Sequence, residues 1–237
     1  MNMNKSLYDE ITIRIRPIDG TIRVEEHTGN VISVKNISPD SLVACLQKGI
    51  KESRTVRSGF LPKGCISYDV NSHFKTVVLW SPPGYVDFTY HKTVYEHFPV
   101  PAMAFSFRLE ASGRIGGHRA MVIADETPMP KSQLYAYPFS NMYADGSICV
   151  GAANALPLYK DIRTLGTLPY YIMQLPNNDH NYSRSNNKPK LLYRDLLEHL
   201  KDKAPSYYYK NILIPINAVL QDFIDGNISR RAYSNAA

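Results

Sequence analysis

The chain has 237 residues, of which 44% are hydrophobic and 20% are charged, a composition typical of an ordinary soluble globular protein. It contains no run of about 18 apolar residues that would span a membrane, and its first residues lack the apolar stretch of a secretory signal, so we predict a cytoplasmic protein. The net charge of +6 comes from basic residues spread along the whole chain, without a basic stripe or a recognisable motif, which argues against nucleic acid as a partner.

The N-terminal part reads as a short antiparallel structure followed by a helix. Residues 11–16, ITIRIR, alternate apolar and basic side chains, and the alternation resumes after the turn signal Asp19-Gly20. We therefore predict a β-hairpin extension over residues 1–35. Ser38-Pro39 suits the N-cap and first position of a helix. Four apolar residues share one face of that helix and are expected to be buried, among them a cysteine: Leu42, Cys45, Leu46 and Ile50.

The middle of the chain is typical of β-structure. Between residues 64 and 123, five short segments rich in β-branched and aromatic residues are separated by turn clusters, with one longer gap that holds residues 98–101. Strands that follow one another with short connections predict an antiparallel meander. The five segments are CISYDV, KTVVLW, YVDFTYH, AMAFSFRL and RAMVIA.

The last part predicts an irregular segment and then helices. Prolines punctuate residues 125–157, and a long structureless stretch within a compact domain is more often functional than accidental. Helices are predicted near residues 160–174, interrupted at Pro169, and in the two segments LLYRDLLEHLKDK and INAVLQDFI. The segregation of strands and helices predicts an α+β domain over residues 36–228, followed by a polar tail over residues 229–237.

The cysteines and histidines carry no metal-site signature. Cys45, Cys65 and Cys149 show no C-x-x-C spacing, and the seven histidines are scattered. An odd, low cysteine count without an export signal favours reduced thiols. We therefore predict neither disulfides nor a metal site.

One of these cysteines closes a nonapeptide with a chemical signature, residues 141–149, NMYADGSIC. In ubiquitin-conjugating enzymes the active-site cysteine is preceded by a segment that reads roughly H-P-N-(I/V)-Y-x-(D/N)-G-x-I-C-L. The nonapeptide resembles that segment at Asn141, Tyr143, Asp145, Gly146, Ile148 and Cys149. The chain departs from the pattern at Phe139-Ser140, which stand where the family has His-Pro.

The resemblance extends to the prokaryotic branch of the superfamily, and is closest to protein B of the PRTRC cassettes over roughly residues 58–182. Three segments carry it: SGFLPKGCISYD, SPPG and LPNNDHN. It implies a ubiquitin-conjugating-enzyme-like fold with a helix, an antiparallel β-meander, an active-site loop and C-terminal helices.

The resemblance also implies a cysteine-thioester acyltransferase. Cys149 would accept a ubiquitin-like protein from an adenylating activating enzyme and pass it to an amine or thiol acceptor. Asn141 is the candidate amide donor to the oxyanion, and His180 is the candidate proton acceptor, with Asp179 as the residue that orients or replaces it. No cofactor is implied, since the activating enzyme consumes the ATP. A metal-dependent deconjugating peptidase often accompanies relatives.

Other interpretations stay open at this point. Phe139-Ser140 favours a catalytically inactive scaffold of the same fold that binds a ubiquitin-like protein or its activating enzyme. Cys149 with His180 would also serve a thiol hydrolase. Each residue has a plainer role available as well: a buried thiol for Cys149, a loop amide for Asn141, a solvated imidazole for His180 and a turn residue for Asp179.

Overall fold

The structure, a computed structural model, describes residues 10–28, 31–50, 58–71, 73–143, 145–151 and 156–228. The chain forms two compact units, Met1–Arg57 and Ser58–Ala237. The predicted tail, residues 229–237, lies outside the described residues, and the predicted domain bounds stay a prediction. None of the helices in the described ranges is long and apolar enough to cross a membrane.

The N-terminal unit contains a three-stranded antiparallel sheet. Its strands are β1 (Glu10–Ile15), β2 (Ile22–Thr28) and β3 (Val31–Ile37), paired in the order β1-β2-β3. The predicted hairpin is present as β1 and β2, and β3 extends it by one strand. At the turn between β1 and β2, the Asp19 carboxylate accepts a hydrogen bond of 3.0 Å from the Thr21 amide.

The predicted helix follows as α1 (Pro39–Ile50). The Ser38 hydroxyl accepts a 3.1 Å hydrogen bond from the Ser41 amide, as an N-cap does. The expectation that Cys45 is buried was wrong, because its side chain is exposed and Leu46 is 51% exposed. A unit of fewer than 60 residues buries a smaller fraction of its surface than a larger domain does, which leaves more apolar side chains exposed.

The larger unit is built on a six-stranded antiparallel sheet and a separate two-stranded ribbon. The sheet order is β11-β10-β9-β8-β5-β4, and the ribbon is β6-β7. The strands are β4 (Cys65–Val70), β5 (Phe74–Ser81), β6 (Gly84–Tyr90), β7 (Thr93–Val100), β8 (Met103–Glu110), β9 (Ile115–Ile123), β10 (Gln133–Tyr135) and β11 (Pro215–Val219).

The predicted strands are present, but they do not form one simple meander. β5 pairs with β8, for example Val77 with Phe107, while the chain between them leaves the sheet as the β6-β7 ribbon. The predicted gap around residues 98–101 is occupied partly by β7. Pro82 and Pro83 follow β5 directly, and because proline lacks an amide hydrogen the chain cannot continue a paired ladder there.

The helices described in the larger unit are short and lie in the last third of the chain. A 3-10 helix, Ile162–Thr167, leads into α2 (Leu168–Gln174), where Pro169 sits in the first turn, a position that needs no amide hydrogen. The predicted helix after it is α3 (Tyr193–Leu200). Two five-residue helices follow, α4 (Tyr207–Asn211) and α5 (Leu220–Ile224).

The helix predicted over INAVLQDFI was wrong for its first half. Ile216 and Ala218 are buried and alternate with exposed neighbours, so this part forms β11 beside β10. Only the second half is helical, as α5.

Strand β9 lies between two apolar clusters. Its residues Ala120 and Val122 belong to the larger cluster, which includes side chains of α2 and α3. Met121 and Ile123 point to the other side and belong to a smaller cluster that includes Leu220 and Phe223 of α5. Because β9 is fixed on both faces, a segment attached to it acquires a defined position.

Candidate functional site

The nonapeptide forms a short hairpin of its own. Met142 and Ile148 form an antiparallel bridge, and the Tyr143 amide donates to the Ser147 carbonyl at 2.9 Å. In the same register, the Cys149 amide donates to the Asn141 carbonyl at 2.7 Å. Cys149 and Asn141 therefore lie directly opposite each other on the two arms of the hairpin.

The turn of the hairpin depends on Asp145-Gly146. Gly146 has a φ of +81°, and a Cβ at this position would lie 2.7 Å from Cε of Met121. Glycine adopts this positive φ without strain, and a side chain here would also force the end of the Met121 side chain to move. The Asp145 side chain accepts a hydrogen bond of 2.9 Å from the Ser147 amide. Burial works to raise the pKa of Asp145, but the hydrogen bonds from Ser147 and the charge of Arg119 outweigh it and leave that pKa below its usual value.

The hairpin is attached to β9 by backbone and side-chain hydrogen bonds. The Ile148 amide donates to the His118 carbonyl at 3.2 Å, and the Ala120 amide donates to the Gly146 carbonyl at 3.0 Å. The His118 ring nitrogen Nε2 lies 2.8 Å from the Ile148 carbonyl oxygen. Burial lowers the pKa of His118, and its bond to the Ile148 carbonyl offsets only part of that effect, so the imidazole is neutral at neutral pH.

The Cys149 thiol is partly buried and borders a shallow cleft with Asn141. The cleft has room for about one water molecule. Its other lining residues come from the hairpin and its lead-in, from α2, and from the segment that follows α2: Tyr137, Ser140, Ile148, Ile172, Met173, Leu175 and Asn177.

The Asn141 side chain faces the segment after α2. Its backbone is in the left-handed region, with a φ of +60°. Its Nδ2 donates to the Pro176 carbonyl at 3.1 Å and lies 3.5 Å from Oδ1 of Asn177. One amide hydrogen thus has a good acceptor, while the second has only a long contact and can be offered to another acceptor.

His180 contacts the hairpin through its backbone, whereas the Asp179 side chain contacts Tyr90 and His91. The His180 backbone carbonyl accepts a 3.1 Å hydrogen bond from the backbone amide of Asn141, while the His180 side chain is exposed. The Asp179 carboxylate accepts from the Tyr90 hydroxyl at 2.9 and 3.0 Å and lies 3.3 Å from Nε2 of His91. The described residues lining the Cys149 cleft include neither of them, and their catalytic roles stay predictions.

Comparison with known proteins identifies the family. A family model described as prokaryotic E2 family D, E2 being the term for a ubiquitin-conjugating enzyme, matches residues 40–168. The chain belongs to this family. The predicted relation to prokaryotic conjugating enzymes is thereby confirmed. No curated protein matches the chain, and no solved structure matches it.

The family D match covers the elements that form the hairpin and its support. It begins in α1, includes β4 to β10 and the Cys149 hairpin, and ends at the start of α2. The segment with Asn177, Asp179 and His180 lies beyond it.

In this member of family D, Phe139-Ser140 is fully buried in place of the His-Pro that the wider superfamily has. The Phe139 ring packs against aromatic rings, with centroid distances of 5.3 Å to both Phe88 and Tyr137. The Ser140 hydroxyl donates to Oδ1 of Asn177 at 3.0 Å. The two replacements therefore belong to the packing beneath the hairpin.

Asn177 is a buried residue that the sequence pattern did not single out. Its Oδ1 also accepts from the Tyr193 hydroxyl at 3.3 Å, and its Nδ2 donates to the Leu175 carbonyl at 2.9 Å. Burial raises the pKa of Tyr193 far above its usual value, so its hydroxyl keeps the proton that it donates. Asn177 thus links Ser140, Asn141 and Tyr193. The only sequence signal was its place in LPNNDHN.

Within the described ranges, no group of three or more His, Cys, Asp or Glu side chains has the arrangement to hold a metal ion.

Proposed function

We propose that Cys149 accepts a ubiquitin-like protein as a thioester and passes it to an amine or thiol acceptor, which makes the protein a cysteine-dependent acyltransferase. The observation that carries the proposal is the opposition of Cys149 and Asn141. A partly buried thiol and a side-chain amide border one cleft, on a hairpin within the segment that matches prokaryotic E2 family D.

The proposed reaction is a transthioesterification followed by a transfer. The Cys149 thiolate attacks the carbonyl carbon of the thioester on the activating enzyme, a new S–C bond forms, and the S–C bond to the activating enzyme breaks. The departing thiolate takes up a proton. In the second step an acceptor amine or thiol attacks the Cys149 thioester, and Cys149 leaves as the thiolate.

Asn141 is proposed to stabilise the oxyanion formed in each step. Its second Nδ2 hydrogen, now in a long contact with Asn177, is the one available to a developing negative charge. The loss of one such donor costs on the order of 100-fold in rate. Nδ2 donates its other hydrogen to the Pro176 carbonyl, with 3.1 Å between the nitrogen and the oxygen, so the side-chain amide is oriented before the substrate arrives.

For His180 we propose the role of proton acceptor for an incoming amine. The backbone carbonyl of His180 accepts a hydrogen bond from the backbone amide of Asn141, so the His180 backbone lies next to the hairpin. The Asp179 carboxylate is held by the Tyr90 hydroxyl, and we propose that its negative charge acts on His180 without a direct hydrogen bond between the two side chains.

The wider setting of the proposal follows from the family. We propose a ubiquitin-conjugating-enzyme-like fold for the larger unit and a bacterial conjugation pathway in the cytoplasm. Its other members would be a ubiquitin-like protein, an adenylating activating enzyme that consumes ATP, and a metal-dependent deconjugating peptidase. We also propose that the chain is related to protein B of the PRTRC cassettes.

A second candidate function is a catalytically inactive scaffold that binds the ubiquitin-like protein or its activating enzyme. The observation that favours it is the engaged Asn141 amide, which already has an acceptor in the Pro176 carbonyl. A scaffold would bind both partners without forming a thioester.

A charging assay tests the proposal. The protein is incubated with the activating enzyme, the ubiquitin-like protein and ATP, and run on gels with and without a thiol reductant. We expect a shifted band that the reductant removes, that is absent in Cys149→Ala, and that persists in a matched control, Cys65→Ser, whose thiol is also partly buried. No shifted band with a demonstrably active activating enzyme would favour the scaffold.

A further inference from the structure

Two neighbouring residues of β9 hold the Cys149 hairpin from opposite faces of the strand. Successive residues of a strand point to opposite sides, so His118 and Arg119 leave β9 in opposite directions. Each of them bonds a different carbonyl of the hairpin: His118 bonds that of Ile148, and Arg119 bonds that of Asp145.

Arg119 makes the more extensive contact. Its Nε and Nη2 both donate to the Asp145 carbonyl, at 3.1 and 2.7 Å. Its guanidinium lies over the Phe223 ring of α5, 5.6 Å from the centroid. The tip of the hairpin is thereby linked to α5, a helix about 75 residues further along the chain. Charge-assisted hydrogen bonds of this kind are among the stronger ones in proteins.

His118 makes a reciprocal contact beside Cys149. The Ile148 amide donates to the His118 carbonyl, and the His118 ring bonds the Ile148 carbonyl at 2.8 Å. Since a carbonyl oxygen only accepts, Nε2 carries the hydrogen. Nδ1 is buried and has no hydrogen-bond partner in the described part of the chain. The ring thus fixes the residue that immediately precedes Cys149.

We propose that His118 and Arg119 are positioning residues that hold the Cys149 hairpin on β9 in one orientation. Their effect on catalysis rests on the proposed thioester function, because it acts by keeping Cys149 opposite Asn141. Neither residue contacts the reacting atoms in this account. When these two side-chain contacts are removed, the backbone hydrogen bonds of Gly146 and Ile148 to β9 remain.

The first test compares Arg119→Met with Arg108→Met. Methionine keeps apolar bulk and removes the donors. Arg108 is a matched control because it also lies over an aromatic ring, Phe74 at 5.1 Å, and also bonds a carbonyl, Gly116 at 3.1 Å, but away from the hairpin. The readout is amide hydrogen exchange of the peptide that covers residues 141–149. We expect about tenfold faster exchange in Arg119→Met only.

The second test uses a conservative rescue at His118. In His118→Gln the side-chain nitrogen can occupy the place of Nε2 and keep the bond to the Ile148 carbonyl, whereas His118→Leu cannot. We expect wild-type exchange of residues 141–149 in His118→Gln and about tenfold faster exchange in His118→Leu. If residues 141–149 exchange no faster than in the wild type in His118→Gln, His118→Leu and Arg119→Met alike, the proposal is overturned.

Charging separates the proposal from the function on which it rests. We expect Arg119→Met to lower the saturating rate of thioester formation several-fold, with the half-saturating concentration of activating enzyme unchanged. An unchanged rate in a variant with faster exchange would overturn the catalytic part. If the wild-type protein forms no thioester at all, the proposed function fails, and hydrogen exchange still decides whether the two residues hold the hairpin.

Discussion

Gly146→Ala is the substitution whose cost can be worked out most directly from the hairpin. Gly146 has a φ of +81°, where an L-residue with a side chain costs about 1–2 kcal/mol. The added Cβ would also lie 2.7 Å from Cε of Met121, a fully buried side chain. Relief of such overpacking typically costs about 1–3 kcal/mol. The two contributions together predict a destabilisation of about 2–5 kcal/mol.

Thermal unfolding provides the assay. For a chain of this length about 2–4 °C of Tm is lost per kcal/mol, so we expect a fall of roughly 4–20 °C. Gly59→Ala is the matched control, because Gly59 has a similar φ of +72° with no atom within 4 Å of the added Cβ. It isolates the backbone contribution and should lower the Tm less.

A double variant tests the contact itself. Met121→Leu removes the terminal Cε and by itself costs less than about 1.5 kcal/mol. If the overlap with Met121 contributes, Gly146→Ala combined with Met121→Leu will be less destabilised than the sum of the single variants. A Tm for Gly146→Ala equal to that of Gly59→Ala, together with strict additivity, would refute the reasoning.

Three further predictions concern the cleft and its support. Asn141→Ala should slow transfer from Cys149 to an amine by about 100-fold, measured by single-turnover discharge of the charged protein. Asn177→Ala leaves the buried Ser140 hydroxyl without its acceptor and should lower the free energy of unfolding by about 1–3 kcal/mol, measured with urea. The pKa of His118 is lowered by burial, so the unfolded chain binds the proton first as the pH falls. Stability should therefore fall from about pH 7.5 downward, and less steeply in His118→Gln, as followed by Tm against pH.

Each of these three predictions has a control or a result that would contradict it. Unchanged discharge in Asn141→Ala would remove its oxyanion role. Asn178→Ala serves as the neighbour control for Asn177→Ala, since Asn178 is exposed and bonds only the His180 amide among the contacts described. Parallel Tm curves for the wild type and His118→Gln between pH 7.5 and 5.5 would show that His118 has an ordinary pKa.

The sequence predicted the parts of the fold that depend on local patterns. Short segments rich in β-branched and aromatic residues identified β4, β5, β6, β8 and β9, and Asp145-Gly146 indicated the turn before Cys149, because strand and turn preferences are set by nearby residues. The departure of the β6-β7 ribbon from the sheet was not predictable in this way. Which strands pair is decided by packing between residues distant in sequence.

The same distinction applies to the site. Cys149 and Asn141 belong to one continuous motif and could be proposed from it. His118, Arg119 and Asn177 form hydrogen bonds with groups 26 to 37 residues away in the chain, and such contacts leave no spacing in the sequence. The segment INAVLQDFI has an apolar pattern that suits both a helix and a strand over a short run, and pairing with β10 decided for the strand.

The most direct test of the central claim is the site and chemistry of attachment. Cys149→Ser is incubated with the activating enzyme, the ubiquitin-like protein and ATP, and the adduct is digested and mapped by mass spectrometry. Because an oxyester resists thiols while a thioester does not, we predict a reductant-resistant adduct at residue 149 in this variant and a reductant-sensitive one in the wild type. An adduct at another residue, or none with an activating enzyme that charges itself, would contradict the account.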